Sequence, residues 1–239
     1  MSYRSLVSEI QKQKNLQKAK ILQRFFKTGK GEYGEGDIFL GLTVPLERQI
    51  AKNYSHLPLS DLQKLLKSKI HEHRLVTLLI LVGQYKKANE KTKKEIFDFY
   101  LDNTKNISNW DLVDLSAPNI VGDFLLDKDR EILSKLAKSS CLWERRIAVL
   151  ATYAFIKASG FSDTLKIAEI LLKDKHDLIH KAVGWMLREV GKRDEGILDK
   201  FLKENLPKIP RTTLRYAIER FPETKRKSYL LIRNTGKSL

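Results

Sequence analysis

Apolar positions recur at three- and four-residue intervals along most of the chain. Between Tyr3 and Lys27 the series Leu6, Ile10, Leu16, Ala19, Leu22 and Phe26 mostly keeps this spacing, and the segments Leu62 to Ile70, Lys94 to Leu101 and Leu165 to Leu172 repeat it. That spacing gathers apolar side chains on one face of a helix. No stretch alternates as a half-buried strand does, so the pattern predicts an all-α fold. Helix-breaking residues fall at Pro45, Pro58, Pro118, Gly160, Pro207, Pro210 and Pro222. Cap-like residues stand beside two of them, in Leu59-Ser60-Asp61 and Gly160-Phe161-Ser162-Asp163. The helices are therefore expected to be short.

A repeat emerges when segments are aligned on their opening residues: His73-Arg74-Leu75-Val76, Trp110-Asp111-Leu112-Val113, Arg145-Arg146-Ile147-Ala148, His180-Lys181-Ala182-Val183 and Arg211-Thr212-Thr213-Leu214. From Arg74 through Asp111, Arg146 and Lys181 to Thr212 the steps are 37, 35, 35 and 31 residues. A period near 35 with two helices per unit predicts a HEAT-like α-solenoid, though it is shorter than the usual ~40 to 47. The expected architecture is one domain, 1–239, forming a right-handed superhelix of antiparallel helix pairs. In such a stack matched helices line a concave groove, which makes residues distant in sequence neighbours in space.

The segment KTGKGEYGEGDIFLG, residues 27–41, holds five of the 12 glycines and interrupts the helical pattern as a loop. Gly29, Gly31 and Gly34 match the spacing of a dinucleotide fingerprint, but they follow a helix and open none, so that reading is set aside. The backbone amides of this loop could instead meet a phosphate or sugar. Gly236-Lys237-Ser238 resembles the end of a P-loop, yet Leu231 stands where its first glycine belongs, and it too is set aside.

Charge sharpens the picture. Lys and Arg number 45 against 29 Asp and Glu, a net charge of +16, the footprint of a nucleic-acid binder. Residues 206–239 alone carry nine basic side chains, Arg226, Arg233 and Lys237 among them, against Glu219 and Glu223. No run is apolar enough to span a bilayer, and no membrane partner is expected. One cysteine, Cys141, excludes an internal disulfide framework and a multi-cysteine zinc site, and with no secretory leader a cytoplasmic setting is expected.

No catalytic triad or nucleotide fold is visible. His176 and His180 are spaced i, i+4, but they lack a metalloprotease glutamate and a third ligand, so capping or surface roles are expected and no metal site. Large or charged residues do occupy matched slots of three successive repeats. Trp110 and Asp114 share one helix face, Arg146 opens the next repeat, and Trp185 lies one turn beyond Lys181. Each alone has a bland reading: core indoles, an Asp114–Arg146 ion pair, a solubilising arginine. Trp143 is expected to be structural. The basic residues expected to contact nucleic acid are Lys30, Arg145, Lys181, Arg188, Arg211 and Arg215.

At these residues the chain resembles the HEAT-like-repeat DNA alkylation repair glycosylases of the AlkD type, over roughly residues 5–230. The resemblance is carried by RFFKTGKGEYGEGDIFLGLTVPLER, NWDLVDLSAPNIVGDFL, LWERRIAVLATYAFI, HKAVGWMLREVGKRD and PRTTLRYAIERFP. It implies groove tryptophans at Trp110 and Trp185, a catalytic carboxylate at Asp114 and an arginine at Arg146 that clamps a phosphate. The implied activity is hydrolysis of the N-glycosidic bond of purines alkylated at N3 or N7 in duplex DNA, without cofactor, metal or base-enclosing pocket, by a monomer. The alternative is a non-catalytic DNA-structure-binding or scaffold protein. Asp114 separates the two, since a carboxylate among cations repels DNA unless chemistry needs it.

Overall fold

The structure, a computed structural model, describes residues 2–235, with side chains described through Leu231. Gly236-Lys237-Ser238 therefore lies outside the described residues, as does the side chain of Arg233. The chain divides into two compact units, Met1–Phe124 and Leu125–Leu239. The first contains α1 (Tyr3–Lys12), α2 (Leu16–Phe25), α3 (Val44–Asn53), α4 (Leu59–Leu66), α5 (His71–Lys87), α6 (Glu90–Asp102) and α7 (Trp110–Ala117). The second contains α8 (Glu131–Ala137), α9 (Leu142–Ala151), α10 (Tyr153–Lys157), α11 (Ser162–Leu171), α12 (Asp177–Gly191), α13 (Glu195–Asn205), α14 (Arg211–Ala217) and α15 (Glu223–Thr235). Among the described residues there is no strand, only an isolated parallel bridge between Ile38 and Ile70. The fold is all-α, and no described helix is long and apolar enough to cross a membrane.

The five aligned tetrads all fall in the opening turns of helices: α5, α7, α9, α12 and α14. Within the first unit α5 is the central element and packs against α3, α4, α6 and α7. It is buried on nearly every side, from His71 and Glu72 to Leu81 and Tyr85. Within the second unit α12 plays the same part against α9, α11, α13 and α14.

Two expected boundaries differ. The helix read as continuous from Tyr3 to Lys27 is broken at 13–15, where Asn15 caps α2 by accepting the Lys18 N–H at 3.0 Å and donates its own N–H to the Leu40 carbonyl at 2.8 Å. The six-residue gap from Ile10 to Leu16 was the trace of this break, and Leu16 is 64 % exposed. Pro118 does not end its helix either. The chain widens into a π-turn over Pro118–Gly122, which accommodates a residue with no N–H and a ring that clashes with the preceding turn. Asn119 Nδ2 donates to the Leu115 carbonyl at 2.7 Å, satisfying an acceptor in that turn. The helices expected beside Ser60 and Ser162 are present, but neither serine is the N-cap; Pro58 and Phe161 are, without side-chain capping bonds.

The α12–α14 contact depends on a glycine. A Cβ on Gly184 would lie 2.5 Å from Tyr216 Cβ and 2.6 Å from the Thr213 carbonyl oxygen. Gly184→Ala must push α14 away, and we expect a loss of about 1 to 3 kcal/mol, read by thermal or urea melting. A variant that melts with the wild type would show the contact to be looser than described.

Candidate functional site

The first turn of α7 is fixed from three directions. Asn109 is the N-cap and accepts the Trp110 N–H at 2.8 Å. Its Nδ2 donates to Asp37 at 3.1 Å. Arg74 donates to Ser108 Oγ at 2.7 Å and pairs with the other Asp37 oxygen at 2.6 Å. His71 lies between two carboxylates, 2.8 Å from Asp111 and 3.4 Å from Asp37. Above this network the rings form a column: His71 on Phe39 (4.4 Å between centroids), Phe39 on Phe26 (4.9 Å) and Phe26 on Trp110 (5.1 Å). Phe26, Phe39 and His71 are buried, whereas Trp110 is half-buried, so the column ends in a partly open indole. Phe25, 61 % exposed, sets its edge against the same indole.

The glycine-rich loop is what delivers Asp37 and Phe39. The Leu40 and Gly41 amides donate to Glu72 Oε1 at 2.9 and 2.7 Å, and Leu42 follows at 3.4 Å. Gly41 has φ +93°, and a Cβ there would lie 2.2 Å from the Asn15 carbonyl oxygen, so no other residue fits. Near the tip the Gly29 and Gly31 amides are taken by the carboxylates of Glu32 and Glu35 at 2.8 Å each. Those two amides are therefore not open to a phosphate or sugar as they stand. These donors are already satisfied within the loop, because its own glutamates reach them first. Lys30 is exposed beside them.

The buried charges are strongly perturbed. Burial alone would lower the His71 pKa, but Asp111 and then Asp37 outweigh it and push it up to about 9. Burial works against Asp37 too, yet hydrogen bonds from His71 and Asn109 and the charge of Arg74 hold it below the usual carboxylate range. Glu47 on α3, 2 % exposed, is pushed up to about 8, first by burial and then by the nearby Glu72. The folded state thus keeps a Glu47 proton that the unfolded chain loses near pH 4.5, so this group erodes stability as pH rises from there to about 8. Glu47→Gln should be more stable than wild type by about 2 to 4 kcal/mol at pH 8 and nearly equal to it at pH 4. Melting curves across that range check this. His71 adds a separate decline between about 6.5 and 9 in both proteins, since its folded pKa is raised.

Asp114 stands one turn after Trp110 on α7, half-buried, four residues before the π-turn. Its charge reaches the phenol of Tyr100, whose pKa is raised mainly by burial and secondarily by Asp114. Trp110 and Asp114 are therefore together on one helix, as their spacing predicts.

In the second unit Trp185 is half-buried on α12, with its ring 6.4 Å from Tyr153. Burial raises the pKa of Glu189 one turn away, but hydrogen bonds from Lys192, Arg193 and the Trp185 indole outweigh it and leave the group below its ordinary value. Arg146, the arginine the resemblance implies as a phosphate clamp, opens the helix pair of α9 and α12. It is 5 % exposed and Nη1 donates to the Leu178 carbonyl at 2.6 Å, because the matched slot points inward toward the first turn of α12. Arg145 is likewise engaged, with Asp174 at 2.6 Å and with the carbonyls of Ser139 and Ser140. Trp143, expected to be structural, is buried. His176 caps α12 by accepting the Leu178 N–H, one of the roles expected of it, and His180 contacts the Asp174 carbonyl.

Three of the expected DNA-binding residues do converge. Lys181, Arg211 and Arg215 line an open groove of about 770 Å³ with Tyr216 and Arg226, the acids Asp177 and Glu219 lying among them. Arg188 pairs with Glu219 at its edge. Tyr216 and Arg226 were not singled out from the sequence. Arg226 stood in the basic run, but nothing local placed it against α14. The Asp37–His71–Asp111 network was also missed, since its members are 34 and 40 residues apart.

These features define an all-helical protein with a basic groove and a carboxylate beside a partly open indole. The chain belongs to the DNA alkylation repair enzyme family, whose model matches residues 6–221. Repair of alkylated DNA is the activity that membership supports, with DNA as the partner. A similar solved structure is titled a predicted DNA alkylation repair enzyme from Enterococcus faecalis. It shares 16 % identity with a TM-score of 0.69, and the match covers 88 % of this chain and 98 % of that one. At that identity the likeness shows the fold. No curated protein sequence matches the chain.

Proposed function

We propose that this protein is a DNA glycosylase that hydrolyses the N-glycosidic bond of purines alkylated at N3 or N7, releasing the base and leaving an abasic site. The observation that carries the reading is the half-buried Asp114 one turn behind the partly open indole of Trp110, in a family of alkylation repair enzymes. An alkylated purine is already a cationic leaving group. The C1′–N bond breaks with its electron pair going to the base, and water adds its oxygen to C1′ and gives up a proton. Asp114 stabilises the oxocarbenium-like sugar and orients that water, an electrostatic effect larger in a partly dry site than in bulk. The partly open indole of Trp110 holds the cationic nucleotide beside Asp114, and the half-buried indole of Trp185 offers its own face to a cation, each such contact contributing about 0.5 to 2 kcal/mol that a neutral base lacks. This gives selectivity without a pocket for the base, whereas most glycosylases extrude it into one.

In this reading Arg146 fixes the start of α12, the helix of Trp185, and the groove of Lys181, Arg211, Arg215 and Arg226 receives phosphates. Base release from duplex DNA carrying 7-methylguanine or 3-methyladenine tests the activity. No release from either lesion would leave a DNA-binding protein without catalysis. Binding is tested separately. Replacing both Arg215 and Arg226 with Glu should weaken affinity for all duplex sequences alike and reduce the log–log salt slope by about 0.9 for each phosphate that is no longer neutralised. An unchanged slope would place the DNA elsewhere.

A further inference from the structure

Asp37, His71, Arg74, Ser108, Asn109 and Asp111 come from a loop, α5 and the start of α7, and apart from a 3.5 Å contact between Arg74 and His71 the bonds among them bear on residues 108–111 or on the carboxylate that holds them. This is more polar machinery than the start of one helix needs for capping, which Asn109 and Asp111 supply by accepting the Trp110 and Leu112 N–H groups. The same imidazole is also the floor of the ring column whose open end is Trp110. We infer that His71 is a positioning residue: through Asp111 and through Phe39 and Phe26 it fixes the plane of the Trp110 indole, and it thereby sets how the lesion's nucleotide is held, a reading that rests on the proposed glycosylase.

The chemistry follows from what the imidazole can donate. Protonated, it donates an N–H to Asp111 and another toward Asp37; neutral, it keeps one donor and leaves a carboxylate without its partner. Around it stand Asp37 and Phe39 of the loop, Asp111 of α7, Arg74 of α5, Phe26 at the end of α2 and, at longer range, Glu47 of α3. Glu72 on its own helix is occupied by the loop amides. Of these, His71 alone joins the α7 turn to the ring column.

The test uses the full chain as wild type, His71→Gln and His71→Arg. Glutamine removes the ring and the charge. Arginine restores a planar cation that can stack on Phe39 and donate to both carboxylates. We expect His71→Gln to slow single-turnover base release roughly tenfold or more with duplex affinity within about twofold, and His71→Arg to recover to within about threefold. In wild type the Trp110 indole N–H resonance, assigned with Trp110→Phe, should shift together with the His71 ring signals at a midpoint near pH 9. Wild-type release rates in His71→Gln, or a Trp110 resonance indifferent to His71 deprotonation, would overturn the inference. If His71→Gln does not fold, the wild-type titration decides. If wild type releases no base, the glycosylase reading falls while the same titration still decides the positioning role.

Discussion

Asp114→Asn should slow excision of 7-methylguanine or 3-methyladenine by roughly two or more orders of magnitude, the scale of losing one preorganised electrostatic group. The substitution keeps the shape of the side chain and removes its charge, so loss of packing on α7 does not account for the effect. Duplex affinity should stay equal or tighten, because a repulsive charge facing phosphates has gone. The comparison is single-turnover base release and affinity for both proteins on the same alkylated duplex. Trp110→Ala and Trp185→Ala should instead lose more against cationic lesions than against a neutral base such as uracil. Equal release by wild type and Asp114→Asn would remove the carboxylate from the mechanism.

The second large effect is on stability. Asp37→Ala leaves the protonated His71 and Arg74 buried at 2 % and 4 % exposure without their shared carboxylate. Removing one member of such a buried set costs about 3 to 5 kcal/mol, because the remaining charges stay desolvated. Tm should fall by roughly 6 to 20 °C, confined to the transition of the first unit if the two units melt separately. The depressed pKa of Asp37 sets the pH dependence: its contribution is fully present above the unfolded value of about 3.8 and fades as pH falls through its lower folded pKa. The gap between wild type and variant should therefore close in acid. A Tm unchanged at pH 7 would show that the network does not hold the first unit together.

The local readings and the long-range ones fared differently, for a physical reason. Helix spacing and the shared face of Trp110 and Asp114 follow from periodicity over a few turns, the loop at 27–41 from its glycines, and the recurrence of α5, α7, α9, α12 and α14 from similar segments spaced about 35 residues apart. Residue order alone carries these features, together with the excess of positive charge. The fate of individual charges depends instead on packing, because whether a charged side chain is buried turns on partners brought from far along the chain. Arg145 and Arg146 look alike in sequence, yet one meets Asp174, 29 residues on, and the other the Leu178 carbonyl, 32 residues on. His71 reads as an ordinary histidine until the loop brings Asp37 to one side and α7 brings Asp111 to the other. Desolvation makes such pairings obligatory once the core closes, and no local pattern records which carboxylate will be there.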